Sequence, residues 1–167
     1  EAFDIGPGNC LIDEWIRNNS KKKFDNDGLI AQSGKIDQVI LNQAIDNFEI
    51  QSYDKSLDIK NFDISFARGL SLEDGCATIT NFTAYLIAKG IEYSNKDKSI
   101  NIKYFICGGG RKNNFLINCI KDYLSNVTNI SLDIIDNYDY DGDYIESQAF
   151  GYLAIRSFLN LPISFPK

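Results

Sequence analysis

Hydrophobic positions recur along this chain with more than one period, and the changes of period divide it into elements. Leu11, Ile12, Trp15 and Ile16 have the spacing of one helix face, with Asn9 placed to cap it. After Gly34, the positions Ile36, Val39, Ile40, Ala44, Ile45 and Phe48 predict another helix starting at Lys35. From Leu72 to about Tyr93, apolar and small residues such as Ala77, Ile79, Ala84, Ile87, Ala88 and Ile91 spread around the axis. That distribution predicts a long helix buried on more than one side. Ile102 to Cys107 is a short apolar run, continuous at Tyr104-Phe105-Ile106, which reads as a strand buried on both faces. Gly108-Gly109-Gly110 breaks it. Phe115, Leu116, Cys119, Ile120, Tyr123 and Leu124 then predict an amphipathic helix, and Ile130 to Ile135 a second strand with Ile130, Leu132 and Ile134 on one face. After the polar loop Asp136 to Asp143, a last helix carries the stripe Ala149, Phe150, Leu153, Ala154, Ser157 and Phe158, ended by Pro162 and Pro166.

Strand, glycine loop, helix, strand, helix is the order of a parallel α/β layer. The helical region from Gly34 to about Tyr93 is expected to pack on one face of that sheet. There is no internal repeat and no low-complexity tract, so residues 1–167 read as a single domain.

Composition narrows the chemistry. A net charge of −6 with dispersed basic residues disfavours nucleic acid, which needs a basic field, and Lys21-Lys22-Lys23 reads as a solvated loop. No apolar run approaches the roughly 18–20 residues of a membrane span, so no membrane partner is expected. The absence of His removes Ser-His-Asp and Cys-His nucleophile systems and most zinc sites, leaving Asp, Glu, Lys, Tyr or Cys as acid or base. Cys10, Cys76, Cys107 and Cys119 form no CxxC pair and no metal spacing. They read as buried free thiols suited to a reducing cytoplasm.

Three segments could carry chemistry. Asp4 stands just before Gly6-Pro7-Gly8-Asn9, a tight turn opening a helix; this is either a ligand turn or an ordinary turn with a capping acid. Gly108, Gly109 and Gly110 follow a strand and precede a helix, leaving backbone bare for a base or a phosphate, or forming a plain tight turn. They are neither GxxxxGK[ST] nor GxGxxG. Asp139, Asp141 and Asp143 alternate without the glycine and glutamate of a calcium loop, so no metal site is assigned. Glu146 opens the last helix, where a carboxylate is favoured by the helix dipole or by a ligand contact.

Taken in order, these segments resemble the anhydro-N-acetylmuramic acid kinase family. Its FDxGPGN segment and following LxD are matched by Phe3 to Asn9, Leu11 and Asp13. D-x-D-G-x-x-A-x-x-G is matched by Asp25, Asp27, Gly28, Ala31 and Gly34, and a PKS-type loop by Lys55-Ser56, with Tyr53-Asp54 replacing the prolines. D-x-x-A-T-x-T-x-x-T-A is matched by Asp74, Ala77, Thr78, Thr80, Thr83 and Ala84. CGGG-x-x-N is matched by Cys107 to Gly110 and Asn113, and D-x-x-E-x-x-A-F-x-x-L-A by Asp143, Glu146, Ala149, Phe150, Leu153 and Ala154.

The resemblance implies a ribonuclease-H-like lobe of the actin-ATPase and hexokinase fold, a mixed sheet flanked by helices, with ATP between two lobes. It implies hydrolytic opening of the 1,6-anhydro ring and phosphorylation of O6 in cell-wall sugar recycling. Asp4 would be the base that activates water; Gly6, Asn9 and Glu146 would contact the sugar. Gly108, Gly109, Gly110 and Asn113 would line the site of ATP, with Mg2+ on its phosphates. The family's M-S-G-T-S-x-D-G loop and a G-G-x-x-N segment precede FDxGPGN and are not in these residues. The chain is therefore expected to be the C-terminal lobe, to require an N-terminal kinase lobe in the same or a separate chain, and to be inactive alone. The alternatives are a non-catalytic remnant whose exposed cleft surface self-associates, for example as a homodimer, and an actin-fold kinase for another sugar.

Overall fold

Long helices dominate the molecule because the strongest patterns are of helical period. The computed structural model describes residues 4–48 and 62–164; the Lys55-Ser56 match lies outside the described residues. Helices α1 (Cys10–Asn19), α2 (Leu29–Ser33), α3 (Gln38–Asn47) and α4 (Leu72–Ser94) come first. They are followed by strand β1 (Ile102–Ile106), helix α5 (Asn114–Leu124), strand β2 (Ile130–Ile134) and helix α6 (Ile145–Phe158).

Helix α4 is the axis of the fold. Ser71 caps it by accepting the Asp74 N–H at 3.0 Å, and 13 of its residues are buried, as the all-round apolar pattern required. Its first half packs with α1, α2 and α3 in one core containing Leu11, Ile16, Leu41, Ile79 and Leu86. Its second half packs with α5 and one sheet face in another, around Ala84, Ala88, Ile117 and Ile120. Phe115 touches both cores. At the first core, Trp15 lies on Gly75, whose missing side chain makes room for the indole, and donates from Nε1 to the Leu72 carbonyl at 2.9 Å. Burying Leu11, Ile12 and Ile16 of α1 contributes about 1.5–3 kcal/mol each.

The strands pair in parallel, Ile102 opposite Ile130 through Ile106 opposite Ile134. The parallel α/β order read from the sequence is thus present. The sheet expected to be mixed consists, among the described residues, of these two parallel strands alone. β1 is also not buried on both faces. Ile102, Tyr104 and Ile106 face α4 and α5, whereas Lys103 and Phe105 stand exposed on the other side. There Phe105 packs edge-on against Tyr138, and Lys103 lies over the Tyr138 ring. The run Tyr104-Phe105-Ile106 concealed this alternation because an aromatic side chain can shelter at a surface. Only the second half of α4, not the whole region from Gly34, covers the sheet.

α3 starts at Gln38, three residues later than expected from Lys35. Asp37 accepts the Val39 and Ile40 N–H groups and fixes the start there. The apolar stripe of α6 exists but is uncovered among the described residues, with Phe150 64% and Phe158 86% exposed. Cys76 and Cys119 are buried free thiols as expected, whereas Cys10 and Cys107 are exposed. Cys10 begins α1 on its solvent side, and Cys107 directly follows β1 and is exposed.

Candidate functional site

The segment Asp4-Ile5-Gly6-Pro7-Gly8-Asn9 leads into α1. Ile5 packs on α4 at Gly90, Gly6 faces Leu86, and the Pro7 carbonyl accepts the Cys10 N–H at 3.1 Å. Asp4 is exposed at the head of this segment. Asn9 occupies the capping position without capping. Its backbone is already helical (φ −78°, ψ −5°), and no side-chain bond closes on a helix N–H. Its Oδ1 is instead buried with no hydrogen-bond partner among the described residues. A buried amide oxygen left in that state costs free energy until a donor reaches it.

The glycine loop approaches from the other side. Gly108 adopts φ +74°, ψ −177°, a conformation open in practice only to glycine. Side chains at Gly108 and Gly109 would meet nothing within 4 Å, so backbone here borders open volume. A Cβ at Gly110 would lie 4.0 Å from Asn9 Nδ2. Asn113, 3% exposed, caps α5 by accepting the Leu116 N–H at 3.0 Å.

A third segment completes the site. Asp25 is buried and accepts the Ile30 N–H at 2.8 Å and the Ala31 N–H at 2.9 Å, so its carboxylate satisfies the first turn of α2, whose N-cap position is Gly28. Its charge adds to burial in pushing the Cys76 thiol well above the ordinary range. Gly28 turns at φ +77°, and a Cβ there would collide with the Asn113 carboxamide and with Phe115. The Asp25–Gly28 turn is therefore seated on the start of α5.

These segments enclose a cleft of about 430 Å³. Asn9 and Asp13 come from α1 and its entry, Phe24 and Asp27 from the turn before α2, and Gly109, Lys112 and Asn113 from the glycine loop. Burial pushes the Asp13 carboxyl up, Asp25 adds to the rise, and Arg17 opposes it.

The glycine loop is held by an ion-pair clasp that single-residue patterns did not reveal. Arg111, 6% exposed, donates from Nε to Asp136 at 2.7 Å and from Nη2 to the same carboxylate at 3.1 Å. Its Nη1 reaches both the Gly108 carbonyl at 3.0 Å and Asp143 at 2.6 Å, and Lys112 adds a second cation to Asp143 at 2.6 Å. A side chain at Gly142 would strike the guanidinium, while the Gly108 N–H donates to the Gly142 carbonyl at 2.9 Å. Hydrogen bonds from Arg111 and then Lys112 hold the Asp143 carboxyl down at about 2. The clasp joins the glycine loop to the segment that leads into α6 and its exposed Glu146.

Of the expected site residues, Asn9, Gly109 and Asn113 line the cleft, and Gly110 adjoins Asn9. Gly108 shapes the loop. Asp4, Gly6 and Glu146 do not line this cleft. Sequence reasoning missed Phe24 as a lining residue and Arg111 as the anchor. Asp27 stands in a matched segment that assigns it no role.

Fold and site together define an α/β protein with a glycine-lined cleft. The sequence profile described as anhydro-N-acetylmuramic acid kinase matches residues 1–167. The chain is 52% identical to an anhydro-N-acetylmuramic acid kinase of Pelagibacter ubique, over 99% of this chain and 44% of that protein. It is 36% identical to one of Rhodospirillum rubrum, over 99% of this chain and 42% of the relative. For one of Caulobacter vibrioides the figures are 37%, 99% and 43%. The chain belongs to the anhydro-N-acetylmuramic acid kinase family, and it spans less than half the length of these curated relatives.

Proposed function

We propose that this chain supplies the C-terminal lobe of an ATP-dependent anhydro-N-acetylmuramic acid kinase, a cytoplasmic enzyme of cell-wall sugar recycling, and works with an N-terminal lobe of the kind its longer relatives have room for. The observation that supports this most is the convergence of Asn9 with Gly109 and Asn113, about a hundred positions apart in sequence, on one cleft. One belongs to the turn after Asp4, the others to the glycine loop, so sugar and nucleotide elements adjoin.

In this reading Asp4 accepts a proton from the water that attacks C1 of the anhydro-sugar. The C1–O6 bond breaks, and O6 takes the γ-phosphoryl group of ATP, leaving ADP. Asn9 and Gly6 hold the sugar side, and Glu146 meets the sugar from the start of α6. Gly108, Gly109, Gly110 and Asn113 border the nucleotide. The bare backbone at Gly108 and Gly109 fits such a ligand, because nothing lies within 4 Å of where side chains would be. Mg2+ would accompany the nucleotide and neutralise charge on its phosphates. Among the described residues, no helix is long and apolar enough to cross a membrane.

The test compares the 167-residue chain alone with the same chain joined to the N-terminal portion of a longer relative. Both receive ATP, Mg2+ and 1,6-anhydro-N-acetylmuramic acid. The joined protein is expected to form the 6-phosphate and the lone chain none, because phosphoryl transfer needs positioning from both sides of the cleft. Asp4→Asn in the joined protein is expected to lower kcat by about 10²- to 10⁴-fold with little change in ATP affinity. Robust turnover by the lone chain, or an unchanged kcat in the variant, contradicts the proposal.

A further inference from the structure

Helix α4 turns Ile79, Phe82 and Leu86 to the first core and Ala84, Ala88 and Ile91 to the second. Between those two sides runs a file of Cys76, Thr80, Thr83 and Ile87, spaced at i, i+4, i+7 and i+11. Contacts locate both ends of the file. Cys76 Sγ donates to Asp25 Oδ2 at 3.5 Å, and a Cβ at Gly6 would lie 3.7 Å from Ile87. The file therefore looks onto the chain between Gly6 and Asp25, with Thr80 and Thr83 fully buried beneath it.

Thr78, in the same helix, donates to the Asp74 carbonyl at 2.8 Å, the usual way a helical threonine satisfies its hydroxyl. Thr80 and Thr83 make no such bond. Among the described residues three buried side-chain oxygens have no hydrogen-bond partner, Thr80 Oγ1, Thr83 Oγ1 and Asn9 Oδ1. Burial and then Asp25 push the Cys76 thiol up while the Thr80 hydroxyl opposes them, so that hydroxyl leans along the file. Asn9 lies between Gly6 and Trp15, which meet α4 at Leu86–Ile87 and at Gly75. Thr80 and Thr83 occupy the stretch of α4 between those two contacts. The three oxygens thus come from facing sides of one buried seam. Asn9 Oδ1 can only accept, whereas each hydroxyl can donate or accept. A water molecule supplies both functions, and a buried water makes about three hydrogen bonds to groups of this kind.

We infer that a water molecule is held in this seam, donating to Asn9 Oδ1 and Thr80 Oγ1 and accepting from the Thr83 hydroxyl, and that Thr83 is thereby a positioning residue for Asn9. The site lies behind the cleft, since Asn9 lines the cleft and neither threonine does. With Oδ1 held from behind, the carboxamide presents Nδ2 toward Gly110. What Asn9 does for the sugar rests on the function proposed above; the water site does not.

The experiment begins with the full chain, methyl-labelled for NMR. The two threonines are fully buried, so cross-relaxation between water and their methyl groups reports internal water alone. Signals are expected at both methyls. Thr83→Val keeps the shape and removes the hydroxyl. It is expected to abolish the Thr80 signal and to lower the denaturant midpoint, because a bound water loses its donor; Thr83→Ser should keep both. In a dry seam the same valine would remove an unmatched hydroxyl and raise the midpoint. In the chain joined to a relative's N-terminal portion, Thr83→Val is expected to raise KM for 1,6-anhydro-N-acetylmuramic acid about fivefold or more with kcat nearly unchanged, and Thr83→Ser to stay close to the parent. No water signal at either methyl, or a raised midpoint in Thr83→Val, overturns the water site. An unchanged KM in Thr83→Val beside a raised KM in Asn9→Ala overturns the positioning role. An unchanged KM in both overturns the sugar reading of Asn9 and leaves the water site standing.

Discussion

Arg111 is where a single side chain has the widest reach, since its one guanidinium serves Asp136, Asp143 and the Gly108 carbonyl. Arg111→Ala frees the glycine loop from those acceptors and is expected to lower the denaturant midpoint. Arg111→Lys should recover less than half of that, because a point charge cannot reproduce the fork. The clasp also predicts a pH dependence. Asp143 has an ordinary value of 3.8 and sits at about 2 in the fold, so the folded state favours its charged form. The stabilisation is complete above about pH 4 and is lost as pH falls toward about 2. A carboxyl NMR titration should find the Asp143 midpoint well below that of the Asp residues exposed in unfolded chain. A midpoint near the ordinary value contradicts the clasp. Asp25 gives a parallel case: Asp25→Ala strands two backbone N–H groups and should cost about 1–3 kcal/mol, read from the denaturant midpoint. Asp25 was visible in the sequence as part of a matched segment, but not as the buried acceptor of the first α2 N–H groups. A bond spanning five and six residues leaves no short-range signature.

At the scale of elements, the helices were legible because packing reinforces their period. α1 buries all four residues that the spacing marked, and α4 and α5 bury most of theirs, with Ile87, Phe115 and Tyr123 half-buried. β1 was misread because Tyr104-Phe105-Ile106 is apolar throughout while only alternate side chains meet α4 and α5. The short α2 escaped, since five residues carry no period. α6 has a readable stripe but no buried residue, whereas α4 has 13. Amide hydrogen exchange should therefore be much slower in the middle of α4 than in α6. Equal protection of the two would mean that α6 is covered in solution. The contact of Gly75 with Trp15 makes a further element-level prediction. Gly75→Ala forces the indole off α4 and should destabilise by about 1–3 kcal/mol despite the better helix propensity of alanine. A gain in thermal stability would contradict that packing.

At the scale of the whole molecule, the glycine loop and the turn after Asp4 could each be found in the sequence, but their meeting could not. It depends on α4 carrying Ile5 at Gly90 on one side and α5 on the other, a long-range arrangement with no local spacing. The family comparison names the chemistry for proteins more than twice this length, and under the proposed function the cleft would be this chain's share in it. The central claim is that Asp4 activates water for attack at C1 while O6 receives phosphate. The most direct measurement is the turnover of 1,6-anhydro-N-acetylmuramic acid with ATP in ¹⁸O-labelled water, using the chain joined to a relative's N-terminal portion. The account predicts one ¹⁸O at C1 of the 6-phosphate, none in the phosphoryl group, and loss of product with Asp4→Asn. Label in the phosphoryl group, or full labelled product from the Asp4→Asn protein, would contradict it.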